Sequence, residues 1–295
     1  MLFDKNKRND KNHSSETAPK VTIGGGYGSH TQPTPAAPVA PVQNPIVASI
    51  MNGLQRGEFV IYYQPIFSLT SGGAEQFEAL VRWRMPDGSM KYPGDFIPEA
   101  ERAGIISRID KYVLNKVCKD ISQYFLGGSH VPSVSINLSA DSLREYGCVE
   151  NVLRTLSEYG LTPDVMTVEI SEDVLLSDIE FFSEIANSLA DSGISVTIDN
   201  YGKSNNTSIH CLAKVNCSSI KFDRRLLDMS FTSDRGYTLL VGIINLVRSI
   251  DVNVIAERVE NDEQLDNSRN LGFNLVQGFY FSGPLTPEDA SLYVV

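Results

Sequence analysis

Short apolar stretches, each closed by a polar residue, recur along the chain from Phe59 onward, and their spacing predicts strands separated by helices. The stretches are Phe59-Val-Ile-Tyr-Tyr-Gln64, Gln76-Phe-Glu-Ala-Leu-Val-Arg82, Val134-Ser-Ile-Asn137, Met166-Thr-Val-Glu169, Ile194-Ser-Val-Thr-Ile-Asp199, Ser219-Ile-Lys221, Val252-Asn-Val-Ile-Ala-Glu257 and Asn274-Leu-Val-Gln277. Runs of this length, rich in β-branched and aromatic residues, read as buried strands. The first two are joined by Ser68-Leu-Thr-Ser-Gly-Gly73, a hairpin-type connection, so they run antiparallel. Beyond Arg82 strands alternate with helices, which predicts a parallel sheet. A helix over 178–191 opens on a capping box of Ser177 and Glu180 and is followed by Gly193. A second, over 237–250, carries Leu239, Leu240, Ile243, Ile244 and Val247 on one face. Thr286-Pro287 opens the last, with proline at its first position. Eight strands with intervening helices predict an α/β fold, a (β/α)8 TIM-type barrel modified by an antiparallel first strand. The alternative, an open doubly wound sheet, lacks a G-x-G-x-x-G or Walker A loop in its support.

Residues 1–45 carry no such pattern. A charged start, Gly24-Gly-Gly-Tyr-Gly28 and five prolines from Pro33 to Pro45 cannot bury enough apolar surface to offset ordering entropy. The expected organisation is a disordered tail over 1–45 and a barrel domain over 46–295. No stretch of 18 apolar residues predicts a membrane span, and the start lacks the apolar core of a signal peptide. Cys118, Cys148, Cys211 and Cys217 form no C-x-x-C pair and are expected as reduced, mostly buried thiols of a cytoplasmic protein. The net charge of −11 disfavours nucleic-acid polymers as partners. A small phosphorylated ligand is compatible with it where divalent cations assist.

In a barrel, polar residues closing separate strands converge on one face, where barrel enzymes carry their chemistry. Glu78, Asn137, Glu169 and Asp199 are such residues, and three carboxylates with one amide oxygen make a donor set for a hard cation, magnesium, manganese or calcium. The scattered His13, His30, His130 and His210 offer no zinc cluster. Lys221 can balance these charges or stabilise developing negative charge, and Glu257 or Glu260 suits a general base. Gln277-Gly278 supplies a neutral hydrogen-bonding group with room beside it.

The motifs, in order, resemble those of the EAL domain, the bacterial phosphodiesterase module for the second messenger cyclic di-GMP. They are Gln64-Pro65-Ile66, Glu78-Ala79-Leu80 with Arg82-Trp83, Phe96-Ile97-Pro98 with Ala100-Glu101, Asn137-Leu138-Ser139, Glu169-Ile170-Ser171-Glu172, Lys221-Phe222-Asp223, Ala256-Glu257 with Glu260, and Gln277-Gly278 with Pro284-Leu285. The resemblance spans about residues 55–295. It implies that Glu78, Asn137, Glu169 and Asp199 bind a first divalent metal, Mg2+ or Mn2+. By the same analogy Lys221 and Glu257 act on the attacking water, Gln64 and Arg82 contact cyclic di-GMP, Gln277 and Glu260 line its pocket, and Glu172 steadies the loop after Asp199-Asn200. It also implies a homodimer. With only a tail before the barrel, regulation is expected from ligand level, oligomerisation or a separate protein partner.

Two stretches depart from the family pattern. Asp-Asp-Phe-Gly-Thr-Gly-Tyr-Ser-Ser is replaced by Asp199-Asn200-Tyr201-Gly202-Lys203-Ser204-Asn205-Asn206-Thr207-Ser208, and the glycine of Ala-Glu-Gly-Val-Glu by Arg258. Asn200 stands where a second metal expects a carboxylate. An amide brings no charge, so that metal is weakened and water activation with it. Lys203 is expected either to approach the vacated position or to face solvent. Three functions fit the sequence: a cyclic di-GMP-binding module with weak or absent hydrolysis, an active phosphodiesterase giving linear pGpG, and a protein scaffold.

Overall fold

A computed structural model describes residues 45–126, 131–203 and 209–294 of the 295-residue chain. The expected tail, except Pro45, and Asn205 and Asn206 of the altered loop lie outside the described residues. Pro45 opens a helix, Pro45–Arg56, where its missing N–H would have no intrahelical partner.

The strands are β1 (Phe59–Ser68), β2 (Ala74–Arg84), β3 (Met90–Lys91), β4 (Ser133–Asn137), β5 (Met166–Ser171), β6 (Ser195–Tyr201), β7 (Ser219–Phe222), β8 (Asn253–Ala256) and β9 (Leu275–Val276). Their order is β1-β9-β8-β7-β6-β5-β4-β2-β3, and pairing of β1 with β2 closes the barrel. Strand β1 runs antiparallel to both neighbours, with Gln64 opposite Glu78 and Phe67 opposite Val276. The short link from Ser68 to Ala74 permits no crossover, so β2 must return alongside β1. The ladders β2–β4, β4–β5, β5–β6, β6–β7, β7–β8 and β8–β9 are all parallel. Strand β3 folds back on the end of β2, outside the barrel.

Apolar side chains fill the barrel and the layer beneath its helices. Phe59, Trp83 and Phe96 form one aromatic knot, with Phe59 stacked on Trp83 at 5.0 Å between centroids. The helix Pro45–Arg56 packs there through Gly53, where a Cβ would lie 2.8 Å from the Trp83 indole nitrogen. All four cysteines are free and buried. Among the described residues no helix is long and apolar enough to cross a membrane.

Two local expectations are corrected. The helix Ile179–Asp191 is capped by Asp178, whose side chain accepts from the Phe181 N–H, and Ser177 instead ends the preceding helix Glu172–Ser177. Aspartate accepts as well as serine at an N-cap and suits the helix dipole, so it takes the position one residue on. The helix Asp234–Arg248 starts earlier than expected, on a Ser233 cap. It buries Leu240, Ile244 and Val247 but leaves Leu239 half exposed, because the buried stripe is narrower than the apolar run.

Candidate functional site

Lys221 sits at the centre of the site. Strand β7 points it into the barrel, where it is fully buried. Its ammonium lies 2.7 Å from Glu78, 2.8 Å from Glu169 and 4.0 Å from Glu257. Glu78 is held further by the Asn137 amide at 3.2 Å and the Gln277 amide at 2.7 Å. Ser135 donates its hydroxyl to Glu169. Gln277 also reaches Gln64 at 3.4 Å, and Gln64 donates to the Ser282 carbonyl at 3.2 Å. Parallel register sets these positions: Asn137 is opposite Glu169, Ser171 opposite Asp199, and Lys221 opposite Ile255.

The electrostatics follow from burying four carboxylates around one ammonium. Burial and neighbouring acids raise Glu169, Asp199 and Glu257 above the ordinary carboxylate range, against the pull of Lys221. Burial would raise Glu78 too, but Lys221, with hydrogen bonds from Gln277 and Asn137, brings it below that range. Burial would depress Lys221, but Glu169, Glu78, Glu257 and Asp199 carry it well above its usual value. The ammonium is therefore charged, and the cluster carries negative charge beyond it only as the raised carboxyls ionise.

The loop after β6 is braced from two sides. Asn200 has φ 56°, in the left-handed region that asparagine tolerates, and its amide donates to the Asp199 carboxylate. Glu172, buried at the start of its helix, accepts from the Gly202 N–H at 3.0 Å. The exposed Lys203 donates its backbone N–H to Asn200, and its charge is felt by Asp199.

Asp110 is a residue the sequence reading missed. It projects from the helix Ile106–Asp120 and accepts from the Ser139 N–H at 3.0 Å and from the hydroxyls of Ser139 and Ser142, each at 2.6 Å. It thereby anchors the turn that follows Asn137. Asp110→Ala leaves those donors unpaired and should cost about 2–3 kcal/mol, read as a fall in the denaturant midpoint at unchanged slope.

Two cavities open beside the carboxylates and share Leu80 as a wall. One, about 440 Å³, is bounded by Ile97, Asn137, Glu169, Asp199 and Asn200. The other, about 400 Å³, is bounded by Gln64, Glu78, Arg82, Glu257, Arg258, Glu260 and Gln277. Every residue expected at the site thus borders one of these cavities, apart from the fully buried Lys221 beneath them and Glu172 behind the loop. Arg82 lies over the Tyr92 ring at 5.1 Å and donates to the Val81 carbonyl. Glu260 has Arg224 at 4.0 Å.

The donor chemistry fits a hard divalent cation: oxygens only, from carboxyls that outnumber the one ammonium. The carboxylates nevertheless converge on Lys221, and among the described residues no three acidic, His or Cys side chains converge on a shared ion position. Gln277 Oε1 is the one buried side-chain polar atom without a partner among those residues.

The EAL domain family model matches residues 47–284. The chain is 32% identical over 236 residues to the cyclic di-GMP phosphodiesterase NbdA of Pseudomonas aeruginosa, covering 80% of this chain and 30% of that protein. It is 30% identical over 246 residues to the signaling protein YkoW of Bacillus subtilis, covering 83% and 30%. The chain thus spans about a third of the length of these relatives. A solved structure described as the PaMucR phosphodiesterase in complex with c-di-GMP superposes with a TM-score of 0.77 at 28% identity, covering 83% of this chain and 99% of that one. With its barrel, its antiparallel first strand and its strand-end acids on the matched span, this chain belongs to the EAL domain family.

Proposed function

We propose that this chain binds cyclic di-GMP across the barrel mouth and hydrolyses it weakly or not at all, serving as a receptor or regulator. The observation that carries this reading is the Asn200 amide bonded to Asp199. Two adjacent carboxylates repel unless a cation lies between them, whereas an amide and a carboxylate close on each other without one. The two cavities on either side of Leu80, about 440 and 400 Å³, are each of a size to hold one nucleotide half.

Glu78, Asn137, Glu169 and Asp199 would hold one magnesium or manganese ion, which supplies charge neutralisation at the phosphodiester and a more acidic water. Gln64 and Arg82 would contact the ligand, with Gln277 and Glu260 lining its pocket. Glu257, its carboxyl raised by burial, is suited to accept a proton, and Lys221 fixes Glu78 and Glu169 in place. Glu172 would hold the loop through Gly202. The same reading takes the chain to be cytoplasmic, and dimeric or joined by a separate regulatory protein.

A second reading, an active phosphodiesterase giving linear pGpG, is favoured by the presence of Lys221 and Glu257 within 4.0 Å of each other. Calorimetry with cyclic di-GMP and Mg2+ or Mn2+, followed by chromatography of the mixture, separates the two. Binding without turnover is expected. Rapid conversion to pGpG selects the second reading, and folded protein that neither binds nor converts the nucleotide is a scaffold.

A further inference from the structure

We propose that Arg258 is a ligand-binding residue whose guanidinium takes a phosphate of the bound dinucleotide from the 400 Å³ side of the site; this rests on the cyclic di-GMP reading. The backbone explains where Arg258 must be. Glu257 points into the barrel toward Lys221. Val259 is buried and fixed: its N–H donates to the Gln277 carbonyl at 3.1 Å, and its own carbonyl accepts from the Tyr280 N–H at 2.9 Å. It also presses on Gly278, where a Cβ would lie 2.1 Å from the Val259 oxygen. Arg258, the residue between these two anchors, is held in the left-handed region at φ 57°. Glycine takes that conformation freely, and a residue with a Cβ does not. Strain of this kind collects where a side chain is needed for function.

The charges at the rim say what the side chain is for. Of the other cations near this cavity, Lys221 is held by Glu78 and Glu169 and Arg224 lies toward Glu260, while Arg82, bonded to the Val81 carbonyl and set over the Tyr92 ring, keeps further N–H donors for the ligand. Among the described residues the Arg258 guanidinium has no hydrogen bond or ion pair, and it reaches Glu257 only through space. A pocket walled by Glu78, Glu257 and Glu260 repels a phosphodiester unless cations offset it. Arginine supplies a fixed charge and a donor fork matched to phosphate oxygens.

The test compares wild type, Arg258→Gly and Arg258→Lys by calorimetry with cyclic di-GMP in Mg2+ and by thermal melting without ligand. Arg258→Gly should weaken binding about 10- to 100-fold while the unliganded melting temperature rises, because the strain is relieved. Arg258→Lys should fall between wild type and the glycine variant, since a point charge still serves a phosphate but without the fork. Wild-type affinity in the glycine variant, or a lysine variant as weak as the glycine one, overturns the assignment. A wild-type protein that binds no cyclic di-GMP overturns the reading it rests on, and with it this assignment.

Discussion

Lys221→Met should destabilise the protein by about 3–5 kcal/mol in chelator, the cost of leaving buried carboxylates without their counter-charge. For a domain of this size each kcal/mol lowers the melting temperature by about 2–4 °C, so the expected drop is roughly 6–20 °C. Methionine fills much of the lysine stem's volume, which separates loss of charge from loss of packing. The cost should depend on pH with a definite sign. Glu169, Asp199 and Glu257 lie above their ordinary values in the folded protein, so the fold binds more protons than the unfolded chain as pH rises past the ordinary values of 4.5 for glutamate and 3.8 for aspartate. Stability from these groups falls over that interval, and it falls further without the ammonium. The deficit is therefore smallest at acid pH and largest once the folded carboxyls ionise. Millimolar Mg2+ should recover more melting temperature in the variant than in wild type, because the cation then replaces the missing positive charge. A variant that melts with wild type in chelator at every pH would show that the ammonium is not what holds the acids together.

The barrel was legible in the sequence because buried parallel strands are short, apolar and bounded, and because Ser68 to Gly73 is too short for anything but a reversal. Strand β3, at two residues, carries no periodicity to detect. The helix Pro45–Arg56 was masked by its proline and by Gly53, whose absent side chain makes sense only once Trp83 is seen against it. Asp178 took the cap from Ser177 because both are competent N-caps and only the entry direction of the chain decides. At the site, the acids could be listed because each closes a strand. Their common dependence on Lys221 could not, because that contact spans 143 residues from Glu78 and 52 from Glu169. Asp110 shows the same limit: an acid on an apolar helix face reads as an accident until Ser139 and Ser142 are found beneath it.

Asn200→Asp should raise cyclic di-GMP hydrolysis by about 100- to 1,000-fold, the scale of restoring one electrostatic stabiliser, and should make stability depend on divalent cations. The substitution changes charge with almost no change in shape, and aspartate tolerates the φ of 56° much as asparagine does. What changes is the partner of Asp199. The amide donates to that carboxylate now. An aspartate in its place cannot donate when ionised, so two neighbouring negative charges face each other. At about 4 Å and a typical effective dielectric such a pair repels by about 4 kcal/mol. The variant should consequently melt below wild type in chelator and regain the loss, or exceed it, in Mg2+ or Mn2+. Calorimetric titration with Mn2+ should show tighter or additional binding in the variant. Melting and titration test the charge argument without reference to catalysis, and product chromatography tests the rate. Cation binding gained without turnover would place the remaining obstacle in the altered segment after Gly202, where the family's Thr-Gly-Tyr-Ser-Ser has no counterpart in this chain. Equal melting of both proteins in chelator would mean that the bond between Asn200 and Asp199 does not keep a cation out, and the argument for weak hydrolysis would lose its foundation.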